Sequence, residues 1–335
     1  MDNRPYTVVL QHDLGIGDLI FRLPYIEAVA RNSKNGKVVL VARPTARPYD
    51  ILRNAEYIED IIIYDRWRKE DKKGEHRGLF GFFKILNVIK RYKFDRIVIF
   101  SDRIRYGILA FLAGIPIRIG YGGFSYNYLQ RFFLNRKPFI NEYKGPCISN
   151  YQWATELCIK HGFAEKPLVP RLKIPEDLMG KHKNTLDGLP DETIVLAVGA
   201  SVKHKDWGEK NFTDLTIRLL ENGKGVVCIG GKAEETILKN IVTNIPDQFR
   251  NNFRWFLPES VMDSAAIIKY SKGCVGNDTG IIYVAAATES PTLVFIGNRP
   301  LPCHDPDIRY ITAPSIADIT VDEVYNRINA EFFKR

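Results

Sequence analysis

The chain has 335 residues, 45% of them hydrophobic and 26% charged. That length exceeds what one core usually supports and predicts two domains of roughly 150 residues each, while no apolar run reaches the ~18 residues needed to cross a bilayer. The net charge of +9 favours anionic partners, such as acidic lipid, nucleic acid, or a phosphorylated or carboxylated substrate, and solubility alone explains it equally well.

Residues 6–10, YTVVL, read as a first strand, and the opening MDNRPYTVVLQHD lacks the basic and long apolar regions of a signal peptide. Gly15-Ile16-Gly17 form a loop, followed by an amphipathic helix to about Asn32. Strands are predicted at 38–43, 58–65, 95–100 and 117–121, with helices at 78–94 and at 108–114, the latter stopped by Gly114. Residues 148–163 read as a helix, and AEKPLVPRLKIPEDL, with three prolines, as a linker. The pattern then restarts, with strands at 193–199, 225–231, 273–278 and 291–297 and helices at 211–223, 233–243, 260–272 and 279–290. An amphipathic helix at 321–335 closes the chain. Strand–helix alternation in both halves predicts two parallel, doubly wound sheets. No solenoid repeat or low-complexity tract interrupts them.

The five cysteines, Cys147, Cys158, Cys228, Cys274 and Cys303, are scattered, which argues against disulfides and zinc and places the chain in the cytoplasm. Cys228 and Cys274 lie in apolar runs and read as buried small hydrophobes. Basic residues cluster at Arg66, Arg68, Lys69, Lys72, Lys73 and Arg77. A second stretch, 121–137, mixes Tyr121, Phe124, Tyr126, Tyr128, Phe132 and Phe133 with Arg131, Arg136 and Lys137, a composition suited to a membrane surface. No RNA-binding signature of the RNP1 type is present, so nucleic acid is not an expected partner.

Four strand-to-helix junctions carry chemistry. In Gly15-Ile16-Gly17-Asp18 the glycines permit a tight turn at a helix start, but Ile20 stands where the dinucleotide fingerprint needs a third glycine. Asp18 there either caps the helix or, at a strand's carboxyl end, serves as a general base. Gly199-Ala200-Ser201, followed by Lys203, Lys205 and Trp207, suits a phosphate or is a solvated basic loop. Gly230-Gly231 with Glu234 suits a ribose hydroxyl or is a turn with a helix-dipole carboxylate. Gly276-Asn277-Asp278-Thr279-Gly280 crowds polar groups at a helix N-terminus, where a diphosphate binds well and where Asp278 or Thr279 also fit as caps. Together the four predict a nucleotide cleft between two α/β domains.

The segment LGIGDLIFRLPYIEAVAR resembles the start of family 9 glycosyltransferases, which include ADP-heptose:lipopolysaccharide heptosyltransferases. VLVARPTARPYDILRNAEYIEDIIIYD and RYKFDRIVIF…LAFLAGIPIRIGY are similar to the same family, as is LAVGASVKHKDWGEKNFTDLTIRLLENGKGVVCIGGKAEE. GNDTGIIYVAAATESPTLVFIG resembles its D-[ST]-G-x-x-H-x-A-A signature. The resemblance implies a GT-B fold, α/β, with two Rossmann-like doubly wound parallel-sheet domains facing across a cleft: an acceptor domain over 1–165, a nucleotide-sugar donor domain over 175–320, and a helix at 321–335 packing back on the first. It implies a metal-independent, inverting transfer of a sugar, heptose from ADP-heptose by this likeness, to an anionic lipopolysaccharide-type glycan, with no cofactor besides the nucleotide sugar. By the same likeness Asp18 matches the general base, and Ser201 and Lys205 match donor-phosphate contacts, with Gly17, Ala200 and Gly230 lining the same loops. Asp278, Thr279 and Gly280 match donor-sugar and diphosphate contacts, and Glu234 the ribose carboxylate.

Two departures stand out. Tyr283 replaces the signature histidine in the donor site, and Ile99-Phe100-Ser101-Asp102 replaces a D-x-Q-G-like segment, with Arg103 and Arg105 at once beyond it. Those arginines either grip an acceptor carboxylate or phosphate or are solvated loop residues. A family 9 transferase with another nucleotide sugar and acceptor, and a degenerate nucleotide-sugar-binding module, remain alternatives. A nicotinamide dehydrogenase lacks its glycine fingerprint. No acidic D-x-D pair of the kind that metal-dependent sugar transferases use is expected, and Cys303-His304-Asp305 reads better as a loop than as a ligand set. The aromatic–basic stretch predicts peripheral contact with the inner face of the cytoplasmic membrane.

Overall fold

The β-branched runs become strands buried on both faces, as parallel sheets covered by helices require. The computed structural model describes residues 2–13, 15–66, 74–122, 128–140, 150–200, 202–298, 301 and 305–333. The chain divides into two α/β units, Met1–Pro170 and Arg171–Arg335.

The first unit runs β1 (Thr7–Leu10), α1 (Ile16–Arg31), β2 (Val38–Ala42), α2 (Pro48–Ile51), β3 (Ile58–Ile63), α3 (Gly78–Tyr92), β4 (Arg96–Ile99), α4 (Ile104–Leu112), β5 (Ile117–Gly120) and α5 (Asn150–Lys160). A 3-10 turn, Tyr128–Phe133, lies between the last two. The sheet is parallel, in the order β3-β2-β1-β4-β5. On one of its faces Val8, Leu10, Val39, Val41, Ile97 and Ile99 pack against Ile85, Ile89, Tyr106 and Leu109 of α3 and α4. Gly114, at φ +74, ends α4 where an L side chain would be strained.

The second unit runs α6 (Glu176–His182), β6 (Thr193–Ala197), α7 (Glu209–Glu221), β7 (Gly225–Ile229), α8 (Glu235–Asn244), β8 (Phe253–Phe256), α9 (Val261–Lys269), β9 (Cys274–Asn277), α10 (Gly280–Ala287), β10 (Thr292–Ile296), β11 (Ile308–Thr312) and α11 (Val321–Phe332). Its parallel sheet has the order β11-β10-β9-β6-β7-β8. In both sheets the winding reverses beside the first strand, between β1 and β4 and between β6 and β9. Ligands of open α/β sheets bind at the carboxyl ends of strands flanking such a reversal.

Five elements differ from expectation. Strands β8 and β11 and the short helix α2 are additional, α6 begins inside the proline-rich linker, and α4 starts four residues before 108. The helix expected at 321–335 forms α11, within the second unit. Val324 and Ile328 of α11 are buried in that unit's core, Arg218 of α7 pairs with Asp322, and the Arg218 guanidinium lies 4.4 Å from the Tyr325 ring centre. The apolar stripe of α11 finds its burial there.

Candidate active site

In the second unit the chemistry gathers at the sheet reversal. Gly276 is required by strand pairing, because a Cβ there would lie 2.3 Å from the Ala197 carbonyl oxygen. The next residue, Asn277, is fully buried and ties three segments together. Its Oδ1 accepts from the Trp207 N–H at 3.0 Å, and its Nδ2 donates to the carbonyls of Val198 and Gly199, each at 3.2 Å. The Trp207 indole in turn donates to the Ile319 carbonyl at 2.7 Å. The loop after β6, which carries Ala200 and Lys205, is thereby held against the end of β9.

Asp278 follows, 4% exposed. Its carboxylate lies 2.7 Å from Lys205 Nζ and accepts a hydrogen bond from the Tyr283 hydroxyl, one turn into α10. A buried carboxylate needs such partners, and Tyr283, itself buried, supplies one from the position of the signature histidine. Thr279 is the N-cap of α10 but makes no capping bond; its hydroxyl oxygen is buried without a partner among the described residues. Gly280 opens the helix, leaving its first N–H groups at the positive end of the dipole. The expected contact Ser201 lies outside the described residues. Glu234 sits after β7, where its carboxylate accepts from the Gly231 N–H at 2.8 Å. Gly230 makes room for it, since a Cβ there would lie 2.8 Å from Glu234 Cβ. Glu234 thus caps its turn through one carboxylate oxygen.

In the first unit Asp18 stands at the third position of α1, beside Gly17, and its Oδ2 accepts from the Gly15 N–H at 3.0 Å. Beneath it the fully buried Arg22 donates to the Asp18 carbonyl oxygen at 2.8 Å and pairs with the Asp13 carboxylate. Neighbouring His12 donates from Nε2 to the Tyr64 carbonyl at 2.7 Å, so its Nδ1 must accept from the Tyr106 hydroxyl at 2.5 Å. The ring is a neutral imidazole: burial chiefly drives its pKa down to about 3, the Tyr64 bond opposes, and the charges of Arg43, Arg103 and Arg66 add to the fall.

Arg103 and Arg105 part company. Arg103, the N-cap of α4, is exposed, and its loop is pinned from below by the buried Gln130, whose Nε2 donates to the carbonyls of Ser101 at 2.8 Å and Arg103 at 3.2 Å. Arg105 is committed to packing: Nε donates to the Tyr64 hydroxyl at 2.8 Å, a terminal nitrogen to the Gly78 carbonyl at 3.3 Å, and the guanidinium lies 4.6 Å from the Phe82 ring centre. Against expectation, Asp305-Pro306-Asp307 has the D-x-D spacing, but both carboxylates are paired with Arg171, each at 3.0 Å; Cys303 and His304 lie outside the described residues.

Residues 82–300 match the model of glycosyltransferase family 9 (heptosyltransferase). The chain belongs to glycosyltransferase family 9. Lipopolysaccharide heptosyltransferase 2 of Escherichia coli (strain K12) is 23% identical over 277 residues, covering 74% of this chain and 78% of the relative. The structure of the E. coli ADP-heptose lps heptosyltransferase II superposes with a TM-score of 0.75 at 19% identity, covering 98% of both chains. The E. coli heptosyltransferase WaaC with ADP-2-deoxy-2-fluoro heptose superposes with a TM-score of 0.73 at 17% identity, covering 97% of this chain and 99% of that one. The two parallel-sheet units are therefore those of the GT-B fold.

In this family 9 chain the expected residues Lys205, Asp278, Thr279, Gly280 and Tyr283 converge on one sheet reversal, with Ala200 in the loop held beside them and Gly230 and Glu234 at the neighbouring strand end. Asp18 and Gly17 stand at the reversal of the other sheet. The sequence missed Asn277 as the tie of the β6 loop and Arg22 as the support of Asp18.

Proposed function

We propose that this glycosyltransferase moves a sugar, heptose from ADP-heptose, to an anionic lipopolysaccharide-type glycan in an inverting, metal-independent reaction. The observation that carries the donor side is the Lys205–Asp278–Tyr283 group beside the Thr279 hydroxyl, which has no partner among the described residues, at the start of α10. The likeness to the E. coli heptosyltransferase WaaC with ADP-2-deoxy-2-fluoro heptose supports an ADP-linked sugar. The donor diphosphate takes the N-terminal N–H groups of α10 and the Thr279 hydroxyl. Lys205, 25% exposed, turns from Asp278 towards the phosphates and neutralises charge as the diphosphate leaves. Glu234 takes a ribose hydroxyl.

The acceptor oxygen attacks the anomeric carbon, the bond from that carbon to the diphosphate oxygen breaks, and the diphosphate keeps the electron pair. Asp18 removes the hydroxyl proton as the new bond forms. Its hydrogen bond from Gly15 and the Arg22–Asp13 pair below hold the carboxylate in place. We also read exposed Phe132, Arg136 and Lys137 as a peripheral membrane contact, favoured by apolar and cationic groups on one surface turn.

The test is sugar transfer and ADP binding in wild type, Asp18→Asn and Asp278→Ala without metal. The reading requires Asp18→Asn to lose transfer and keep ADP binding, and Asp278→Ala to lose ADP binding. A thermal shift selective for UDP, GDP or dTDP would keep the transferase and discard heptose. Retained ADP binding with no transfer from any donor in wild type would favour the degenerate module.

A further inference from the structure

The side chain that holds the buried Asp278 carboxylate also sets the charge of the site where the donor diphosphate would lie. Histidine is the side chain whose unperturbed pKa, about 6.5, puts its change of charge near neutrality. The family signature has a histidine at that position, and this chain has Tyr283. The Tyr283 hydroxyl, buried one turn into α10, donates to Asp278, which also meets Lys205 Nζ at 2.7 Å. A phenol is an uncharged donor across the neutral range, so the bond it makes keeps one charge state where an imidazole would have two.

The other described ionisable groups around α10 have partners of their own or stand in solvent. The helix packs against α9, β9 and β10. β10, TLVFI, has no ionisable side chain, and burial pushes the thiol of Cys274, the one such group of β9, upward, so that it keeps its proton. Asp263 of α9 pairs with Lys181 at 2.9 Å and with His182 at 2.6 Å, and Lys269 donates to the Thr288 carbonyl at 2.6 Å. Past the far end of α10, Glu289 meets Arg171 at 3.6 Å. In the loops at the near end Asp206 accepts from the Gly208 N–H and Glu234 from the Gly231 N–H, while Lys203 and His204 are exposed. Among the described histidines, His204 alone lies in these loops.

We propose that Tyr283, acting through Asp278, is a positioning residue that keeps the charge of the donor site constant through the neutral range, so that the hold on a nucleoside diphosphate follows no side-chain titration at that position. Lys205 leaves Asp278 for the diphosphate while Tyr283 stays, so the buried carboxylate keeps a donor throughout, and no proton is taken up there with the nucleotide. An imidazole in that place would gain a proton as the diphosphate arrives, tightening the hold on donor and spent nucleotide alike as pH falls. This role rests on the proposed transferase reading, which puts the diphosphate at the start of α10.

The test is calorimetric titration of the full chain with ADP at constant ionic strength, from about pH 5.5 to about pH 8.5, a span that brackets the histidine range. Tyr283 (unchanged), Tyr283→His and Tyr283→Phe are compared, each carrying His204→Gln. The terminal phosphate of ADP titrates alike for all three, so the ratio of affinities at each pH is read. The affinity of Tyr283→His relative to the Tyr283 protein is expected to rise about tenfold from the alkaline to the acid end, which is one pKa unit of coupling between imidazolium and diphosphate. Tyr283→Phe is expected to bind more weakly by the same factor at every pH. A rise of less than about threefold for Tyr283→His, or undiminished binding by Tyr283→Phe, would overturn the proposal. Wild type is also titrated with ADP-ribose, whose doubly esterified diphosphate does not titrate; a slope through the histidine range there would overturn it even if Tyr283→His does not fold. If ADP binds none of the proteins, the transferase reading falls and the melting temperature decides the charge assignment alone: a difference between Tyr283→His and the Tyr283 protein that varies over this pH range keeps it, and a constant one overturns it.

Discussion

The Tyr283 hydroxyl is the change that most directly probes the donor site. Tyr283→Phe removes one oxygen from a ring that is 4% exposed and leaves the shape of α10 intact. What is lost is the hydrogen bond to the Asp278 carboxylate. A buried bond to a charged acceptor contributes about 1.5–3 kcal/mol, and the stranded carboxylate oxygen adds to the loss. We take about 2 kcal/mol, which in a unit of this size lowers the melting temperature by about 4–8 °C. Scanning calorimetry of wild type, Tyr283→Phe, Asp278→Ala and the double variant closes a cycle. If the hydroxyl acts through Asp278, the coupling energy is at least about 1 kcal/mol; additivity within about 0.5 kcal/mol refutes the bond. ADP affinity is measured on the same proteins. Tyr283→Phe should weaken it, because Asp278 loses the group that fixes it towards Lys205, and Tyr283→His, which retains an N–H donor, should recover most of that loss.

The Arg22–Asp13 pair should behave as a buried ion pair. Asp13→Ala leaves the fully buried Arg22 uncompensated and costs about 3 kcal/mol in urea unfolding, at the lower end of the range for such pairs because the Asp13 side chain retains some exposure. His12 makes stability pH-dependent: its folded pKa, about 3, lies below the unfolded value of about 6.5, so its contribution is complete above pH 6.5 and is lost as pH falls towards 3. From pH 7 to pH 5 the loss is at most about 2 kcal/mol, and it should vanish in His12→Gln. Asn277→Ala strands the Trp207 N–H and two carbonyls and should cost about 2 kcal/mol while weakening ADP binding through the loop that carries Lys205. On the membrane reading, vesicles containing anionic lipid should bind wild type and release the Arg136→Gln, Lys137→Gln double variant on sedimentation; equal binding would remove that contact.

The layout of the strands was legible because parallel strands buried on both faces must be near-continuous apolar runs, as TVVL, VVLVA and TLVFI are. The loops that follow them were legible because tight turns and close strand pairing need glycine, as at Gly276. Strand β8 escaped notice because FRWF is four residues long and carries Arg254, with neither a continuous run nor a clean alternation. The prolines of the linker concealed α6, whose N-cap is Pro175. For α11 the amphipathic period shows that one face is buried but is silent on which core receives it. The fate of Arg105 turned on the start of α4: with the helix beginning at Ile104 rather than 108, Arg103 becomes the exposed cap, and Arg105 enters the helix and meets Phe82 and Tyr64.

The two departures from the family pattern differ in kind. At Tyr283 the replacement keeps a hydrogen-bond donor on the buried Asp278, and the pairing with Lys205 is intact, so the physical requirement at that place, a fixed carboxylate beside a helix N-terminus, is still met. On the proposed reading donor handling is therefore retained. Around residues 99–105 the D-x-Q-G-like segment is gone. In its place stand an exposed arginine cap, Arg103, and a buried glutamine, Gln130, holding that cap's loop. On the proposed reading Arg103 faces the anionic acceptor, so Arg103→Gln should separate the two ends of the reaction, raising KM for that acceptor while leaving KM for the donor unchanged; a rise in the donor KM alone would contradict this division.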